Sequence, residues 1–183
     1  NALKMKKENY IIADYYKDIG DLHEWDLKDI PNAIEFYDAS IQRLQSSLEL
    51  LESQKNFDVI FRNILIGEII DLYMDNIGLS KNIGDYGAAL EYFDKAIIYA
   101  ENYSYLHTYQ LYIYKKDILI DLGAVEVLSE HYTPILDQMK FIIETYDPEQ
   151  IELLPSSARF RRKVVLEREP QYFNKMIWKD YWS

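Results

Sequence analysis

A run of nineteen residues, Gly84 to Asn102 (GDYGAALEYFDKAIIYAEN), constrains the fold of this chain more than any other. It opens on a Gly-Asp turn. Ala89 follows, then an aromatic, Phe93, four residues later and a second alanine, Ala96, three after that. Spacings of four and three put these side chains on one face of a helix. Two alanines let a neighbouring helix come close, and the phenyl ring fills the space between. The pattern predicts the second half of a helical hairpin, turned at Gly84, with Ala89, Phe93 and Ala96 facing inward. An amphipathic helix with incidental alanines is the plainer reading, but turn, small residues and aromatic all fall in one register.

A looser copy lies upstream. In Asp29 to Ser40 (DIPNAIEFYDAS), Ala33, Tyr37 and Ser40 hold the small, aromatic and small positions. Pro31 suits a first helical turn, where its missing N–H has no partner to lose. Both copies resemble the tetratricopeptide repeat, yet Ala33 and Ala89 are 56 residues apart (89 − 33), against roughly 34 in a standard repeat. Longer helices or an irregular connection must fill the difference.

The stretch Ile11 to Ser40 (IIADYYKDIGDLHEWDLKDIPNAIEFYDAS) resembles the soluble NSF attachment proteins, the SNAPs. Their long hairpins carry Gly or Ala then Glu, an acidic link ending D-x-x-K-A-I, and x-x-Y-E-x-A/S. Here the run is Gly20-Asp21-Leu22, Asp26-Leu27-Lys28-Asp29, Asn32-Ala33-Ile34 and Tyr37-Asp38-Ala39-Ser40. The hairpin through Gly84 and Phe93 is similar too, and Tyr105 to Gly123 looks like a third family helix. The resemblance spans about Ile11 to Glu149. It implies an α-solenoid adaptor that grips a helical bundle and recruits an ATPase. The family ends in a leucine-rich segment that stimulates that ATPase, whereas this chain ends Met176-Ile177-Trp178-Lys179-Asp180-Tyr181-Trp182-Ser183.

Composition agrees with an all-α domain. The chain has 183 residues, 49% of them apolar, enough for a sizeable core. Its few glycines fall mostly at proposed turns, and 17 tyrosines can fill gaps between helices with their hydroxyls at the edge. The absence of cysteine excludes disulfides and thiolate metal sites. No apolar run reaches a membrane span and the first residues lack a signal core, so a cytoplasmic protein is expected. Asn1 stands where an initiator Met would, which reads as a fragment.

The net charge of −11 argues against general nucleic-acid binding, which needs a basic face. The exception is Arg159-Phe160-Arg161-Arg162-Lys163. Arg159, Arg161, Arg162 and Lys163 form either a solvated helix face or a contact for an acidic protein, with RNA a distant third. Lys115 and Lys116 are a second candidate contact, solvent exposure being their default.

Helices are expected at about 8–24, 31–54, 57–80, 86–102, 104–122, 124–146, 157–168 and 170–182. In the third, Phe57, Phe61, Ile64, Leu65, Leu72 and Tyr73 mark a buried stripe ending near Gly78. Gly123 stops the fifth, and Pro134 kinks or breaks the sixth. The organisation is then a right-handed α-solenoid of antiparallel hairpins over 1–148, capped by a helical tail over 149–183.

Chemistry is sparse. His23, His107 and His131 lack metal-ligand spacing, and there is no P-loop or nucleophile elbow. Glu68, Asp71 and Asp75 share one helical face and could hold a divalent cation, though an acidic solvated stripe is far commoner. No catalytic residue, metal or cofactor is expected. The sequence points to a non-catalytic scaffold that binds a helical bundle or a peptide, with any membrane association coming through the partner. A bacterial peptide-sensing, effector or immunity protein is the alternative, its acidic body suited to a basic toxin.

Overall fold

The computed structural model describes residues 2–124 together with Thr133, Leu136 and Asp137, and the regular elements among them are all helical. They are α1 (Ala2–Asp21), a π-helical turn (Leu22–Leu27), α2 (Ile30–Glu52), α3 (Val59–Asn82), α4 (Tyr86–Tyr103) and α5 (Tyr105–Asp121). The chain divides into two compact units, Asn1–Tyr99 and Ala100–Ser183. The expected helices 157–168 and 170–182 lie outside the described residues, as does Pro134 and most of 124–146.

Short polar side chains start the helices. Asp29, Asp58 and Ser104 accept from the backbone N–H three residues on, at 3.4, 3.0 and 3.3 Å, and open α2, α3 and α5. Asp85 does the same for Ala88 at 3.0 Å at the start of α4. Each cap satisfies an N–H that has no partner within the helix, worth about 1 kcal/mol. Between α3 and α4 the chain turns at Gly84, whose φ of +78° would strain a residue with a β-carbon.

The first unit is built on α1, α2 and α3, with α2 packed against both of the others. Small residues set how closely α1 and α2 meet. Ser47 Oγ donates to the Lys6 carbonyl at 2.6 Å, and Ser40 Oγ to the Ala13 carbonyl at 2.8 Å. Hydroxyls this short reach the backbone of another helix only when nothing larger stands between. Lys6, Ala13 and Gly20 recur every seven residues on α1, and Ala33, Ser40 and Ser47 do so on α2; all six are buried.

Gly20 is the tightest point. A β-carbon there would lie 2.5–2.6 Å from the Tyr37 ring. That ring is 1% exposed, and its hydroxyl lies 2.6 Å from Asp21 and 2.8 Å from Glu24 in the π-helical turn. Its single hydrogen serves one carboxylate at a time. Burial, then these two carboxylates, push the phenol well above its ordinary value. Lys28, at φ +55°, ends the turn, and Asp29 N–H donates to the His23 carbonyl across it at 2.8 Å.

Two expectations for the third helix need correction. Gly78 lies inside α3, which runs on to Asn82 and is stopped by the turn at Gly84. The buried stripe is also displaced. Phe57 precedes the Asp58 cap and so sits outside the helix, and Ile64 is exposed. The core begins at Leu65 and continues through Ile69, Ile70, Leu72, Tyr73 and Ile77, spread round most of the helix. A helix flanked on several sides keeps no single apolar stripe, and periodicity alone misplaces it.

Ala33, Tyr37 and Ser40 are buried, as are Ala89, Phe93 and Ala96. Phe93 is 3% exposed, so Phe93→Ala should cost about 3–5 kcal/mol in chemical denaturation. Gly20→Ala sets two effects against each other. Better helix propensity gives about 1 kcal/mol, and overpacking against a ring held at its hydroxyl costs about 1–3 kcal/mol. We expect a net loss; a more stable variant would show that the Tyr37 ring can swing aside.

Candidate protein-binding surface

The side of α1 that faces away from Ala13 and Gly20 is apolar as well. Ile11, Ile12, Tyr15, Ile19 and Leu22 are all exposed, at helical spacing. Trp25, 63% exposed in the π-helical turn, extends the stripe, with the Lys28 ammonium 5.6 Å from its ring centroid. Asp14 and Asp18, both exposed, border one edge. Single exposed apolar residues need no explanation, but a continuous stripe with a charged rim marks an interaction site.

Behind this surface lies a network of tyrosine hydroxyls. Asp38 on α2 accepts from Tyr92 of α4 at 2.7 Å and from the Asn76 amide of α3 at 2.9 Å. The Gln45 amide donates to Tyr73 and to Tyr99, each at 3.1 Å, and both of those rings approach one another. Burial raises the Asp38 carboxyl, while the Tyr92 hydrogen bond and the nearby Lys95 oppose it. Tyr73 is pushed up to about 12, mainly by burial. The network pins α2, α3 and α4 together, leaving the α1 stripe on a fixed backing.

Below the π-helical turn, acidic residues crowd together. Asp75 on α3 is pushed up to about 7, first by the partial loss of water around its carboxyl and then by Glu24, Asp71 and Asp21, with Lys17 opposing. Solvent still reaches Asp75, which screens the effect on stability. Glu68 accepts from Tyr10 at 2.8 Å, and Asp71 and Lys17 act on Glu68 as they do on Asp75. No group of three metal-ligating side chains occurs among the described residues. His23 stacks on Phe36 at 5.1 Å, and its Nδ1 lies 3.5 Å from Asp29. His107 is buried beside Tyr103, and His131 lies outside the described residues.

Of the charged contacts expected from sequence, Lys115 and Lys116 lie on α5, both partly exposed, in the second unit. Arg159, Arg161, Arg162 and Lys163 lie outside the described residues. The α1 stripe was not anticipated, because Ile11, Tyr15 and Ile19 at helical spacing do not by themselves say which side of the helix the fold buries. The signal that could have found it is the pair of small residues Ala13 and Gly20, seven apart on the other side, where a neighbouring helix can come close.

No family model, curated protein or solved structure matches the chain. Among the described residues no helix is long and apolar enough to cross a membrane.

The sign of the Asp75 effect is checkable. A carboxyl held above its ordinary 3.8 keeps its proton in the fold to higher pH than in the unfolded chain. Its cost is absent below that ordinary value, grows as pH rises toward about 7, and is complete above it. Asp75→Asn should therefore raise the melting temperature more at pH 8 than at pH 4. Equal shifts at both pH values would remove the carboxyl from this account.

Proposed function

We propose that this chain is a non-catalytic protein-binding scaffold that holds a helical partner on the exposed face of α1. The observation that carries the reading is the apolar stripe Ile11, Tyr15, Ile19, Leu22 and Trp25 with its acidic border. A partner helix laid on it would bury apolar area at about 25 cal/mol per Å² and meet the acidic edge with basic residues.

The wider architecture we propose is a right-handed α-solenoid of antiparallel, tetratricopeptide-like hairpins with a C-terminal helical cap. Its support is the order of the α1–α2 contacts: Lys6 pairs with Ser47 near the end of α2, and Ala13 with Ser40 nearer its middle. With the resemblance to the soluble NSF attachment proteins, the concrete version is a cytoplasmic adaptor that grips a helical bundle, recruits an ATPase and meets membranes through its partner. The alternative is a bacterial peptide-sensing, effector or immunity protein, for which the net charge of −11 would oppose a basic toxin.

Affinity capture followed by protein identification separates these readings: helical bundle proteins, a peptide or toxin, or nothing. Tyr15→Glu with Ile19→Glu should weaken capture at least tenfold. Both are surface positions, so stability should move by only about 0.5 kcal/mol each. If Arg161→Glu with Arg162→Glu abolishes capture and the α1 variant does not, the contact lies on the basic cluster instead.

A further inference from the structure

Two polar side chains of α3 are fully buried, and each keeps one atom unsatisfied. Asn76 is 0% exposed and Ser80 1%, and among the described residues neither Asn76 Oδ1 nor Ser80 Oγ has a hydrogen-bond partner. They stand four residues apart, on one face of the same helix. We infer that these two atoms form a binding site for one structural water, which takes a hydrogen from Ser80 and gives one to Asn76. The inference is independent of the α1 surface, with which it shares no residue.

The chemistry of Asp38 fixes which way the Asn76 amide points. Asn76 Nδ2 donates to Asp38 Oδ1 at 2.9 Å, and the other Asp38 oxygen accepts from Tyr92 at 2.7 Å. Turning the amide over would forfeit the first bond and set Oδ1 against a carboxylate, acceptor to acceptor. Asn76 therefore cannot satisfy Oδ1 by exchanging it with Nδ2.

Ser80 has a common remedy within reach and does not use it. Ser46 and Thr108 give their hydroxyls to the carbonyl four residues back, at 2.9 and 2.8 Å. For Ser80 that carbonyl belongs to Asn76, yet the hydroxyl is bonded neither to it nor to the Asn76 side chain. A buried donor or acceptor left in this state is costly. Side chains four apart on a helix have β-carbons about 5–6 Å apart. A molecule bonded at about 2.8 Å to each oxygen spans a gap of that size, and water is both donor and acceptor. Solvent reaches neither atom, so a larger ligand has no path to them. Two partners are within the range of about two to four that a buried water needs. Held there, the water keeps the Asn76 amide aimed at Asp38 and so joins the network that pins α2, α3 and α4.

A crystal structure of the full chain at high resolution tests this without any variant. It should show one ordered water about 2.8 Å from both Asn76 Oδ1 and Ser80 Oγ. In solution, magnetic relaxation dispersion of the water oxygen counts long-lived waters and does not respond to exchanging hydroxyl protons. Ser80→Ala should lower that count by one. The same variant tests the energetics by sign. In a dry site it deletes an unpartnered hydroxyl and gains helix propensity, so the melting temperature would rise. With the water in place it strips that water of its donor, and the melting temperature should fall. Density showing the two side chains dry, an unchanged count in a folded Ser80→Ala, or an unchanged or higher melting temperature would overturn the inference.

Discussion

Everything described in the first unit depends on how closely α1 can approach α2. Two serine hydroxyls donating to carbonyls of another helix, at 2.6 and 2.8 Å, require that no side chain larger than serine intervene. The carbonyls of Lys6 and Ala13 belong to α1's own ladder, so the serines use their second lone pairs and add bonds without breaking any. A repeat of seven keeps such contacts on one seam over several turns. Gly20 extends the seam to the end of α1 and admits the Tyr37 ring, whose hydroxyl then reaches back to Asp21 and Glu24. One packing constraint therefore sets the interhelix distance, seats a buried tyrosine, and anchors the π-helical turn.

The tyrosines solve a different problem. Tyr10, Tyr37 and Tyr92 each donate to a carboxylate, while Tyr73 and Tyr99 accept from Gln45. A bond to a charged acceptor contributes about 1.5–3 kcal/mol, whereas an unsatisfied buried hydroxyl costs about 1–3 kcal/mol. An acidic chain can thus bring carboxylates such as Asp38 and Glu68 into partly buried positions, because neighbouring phenols compensate for lost water. The raised Asp38 and Glu68 show that this compensation is incomplete. Asp75, which has no such partner given by the fold, is driven furthest, to about 7.

Helical content was legible in the sequence because its signals are local. Asp29, Asp58, Asp85 and Ser104 announce helix starts, and Gly84 announces a turn, through chemistry that acts within four residues. Gly78 misled because a glycine inside a helix and one beyond its end look alike until the positive φ is seen, and here that belongs to Gly84. The π-helical turn at Leu22–Leu27 carries no comparable mark; it exists because Tyr37, from another helix, holds Asp21 and Glu24. Glu68 and Asp75 share a helical face by spacing, yet only a tertiary contact gives Glu68 its bond from Tyr10.

The exposed stripe of α1 rests on one mechanical fact. A binding face gains affinity when its side chains need little ordering on contact, since immobilising each flexible group costs about 0.5–1.5 kcal/mol. On α1 the seam is on one side and the exposed stripe on the other, so the bonds that fix Lys6 and Ala13 also fix the backbone beneath Ile11, Tyr15 and Ile19. The stripe is presented by a helix that cannot rotate to hide it without breaking the Ser40 and Ser47 bonds and driving Gly20 off the Tyr37 ring. The cost of keeping an apolar face in water is thus carried by that close contact between α1 and α2.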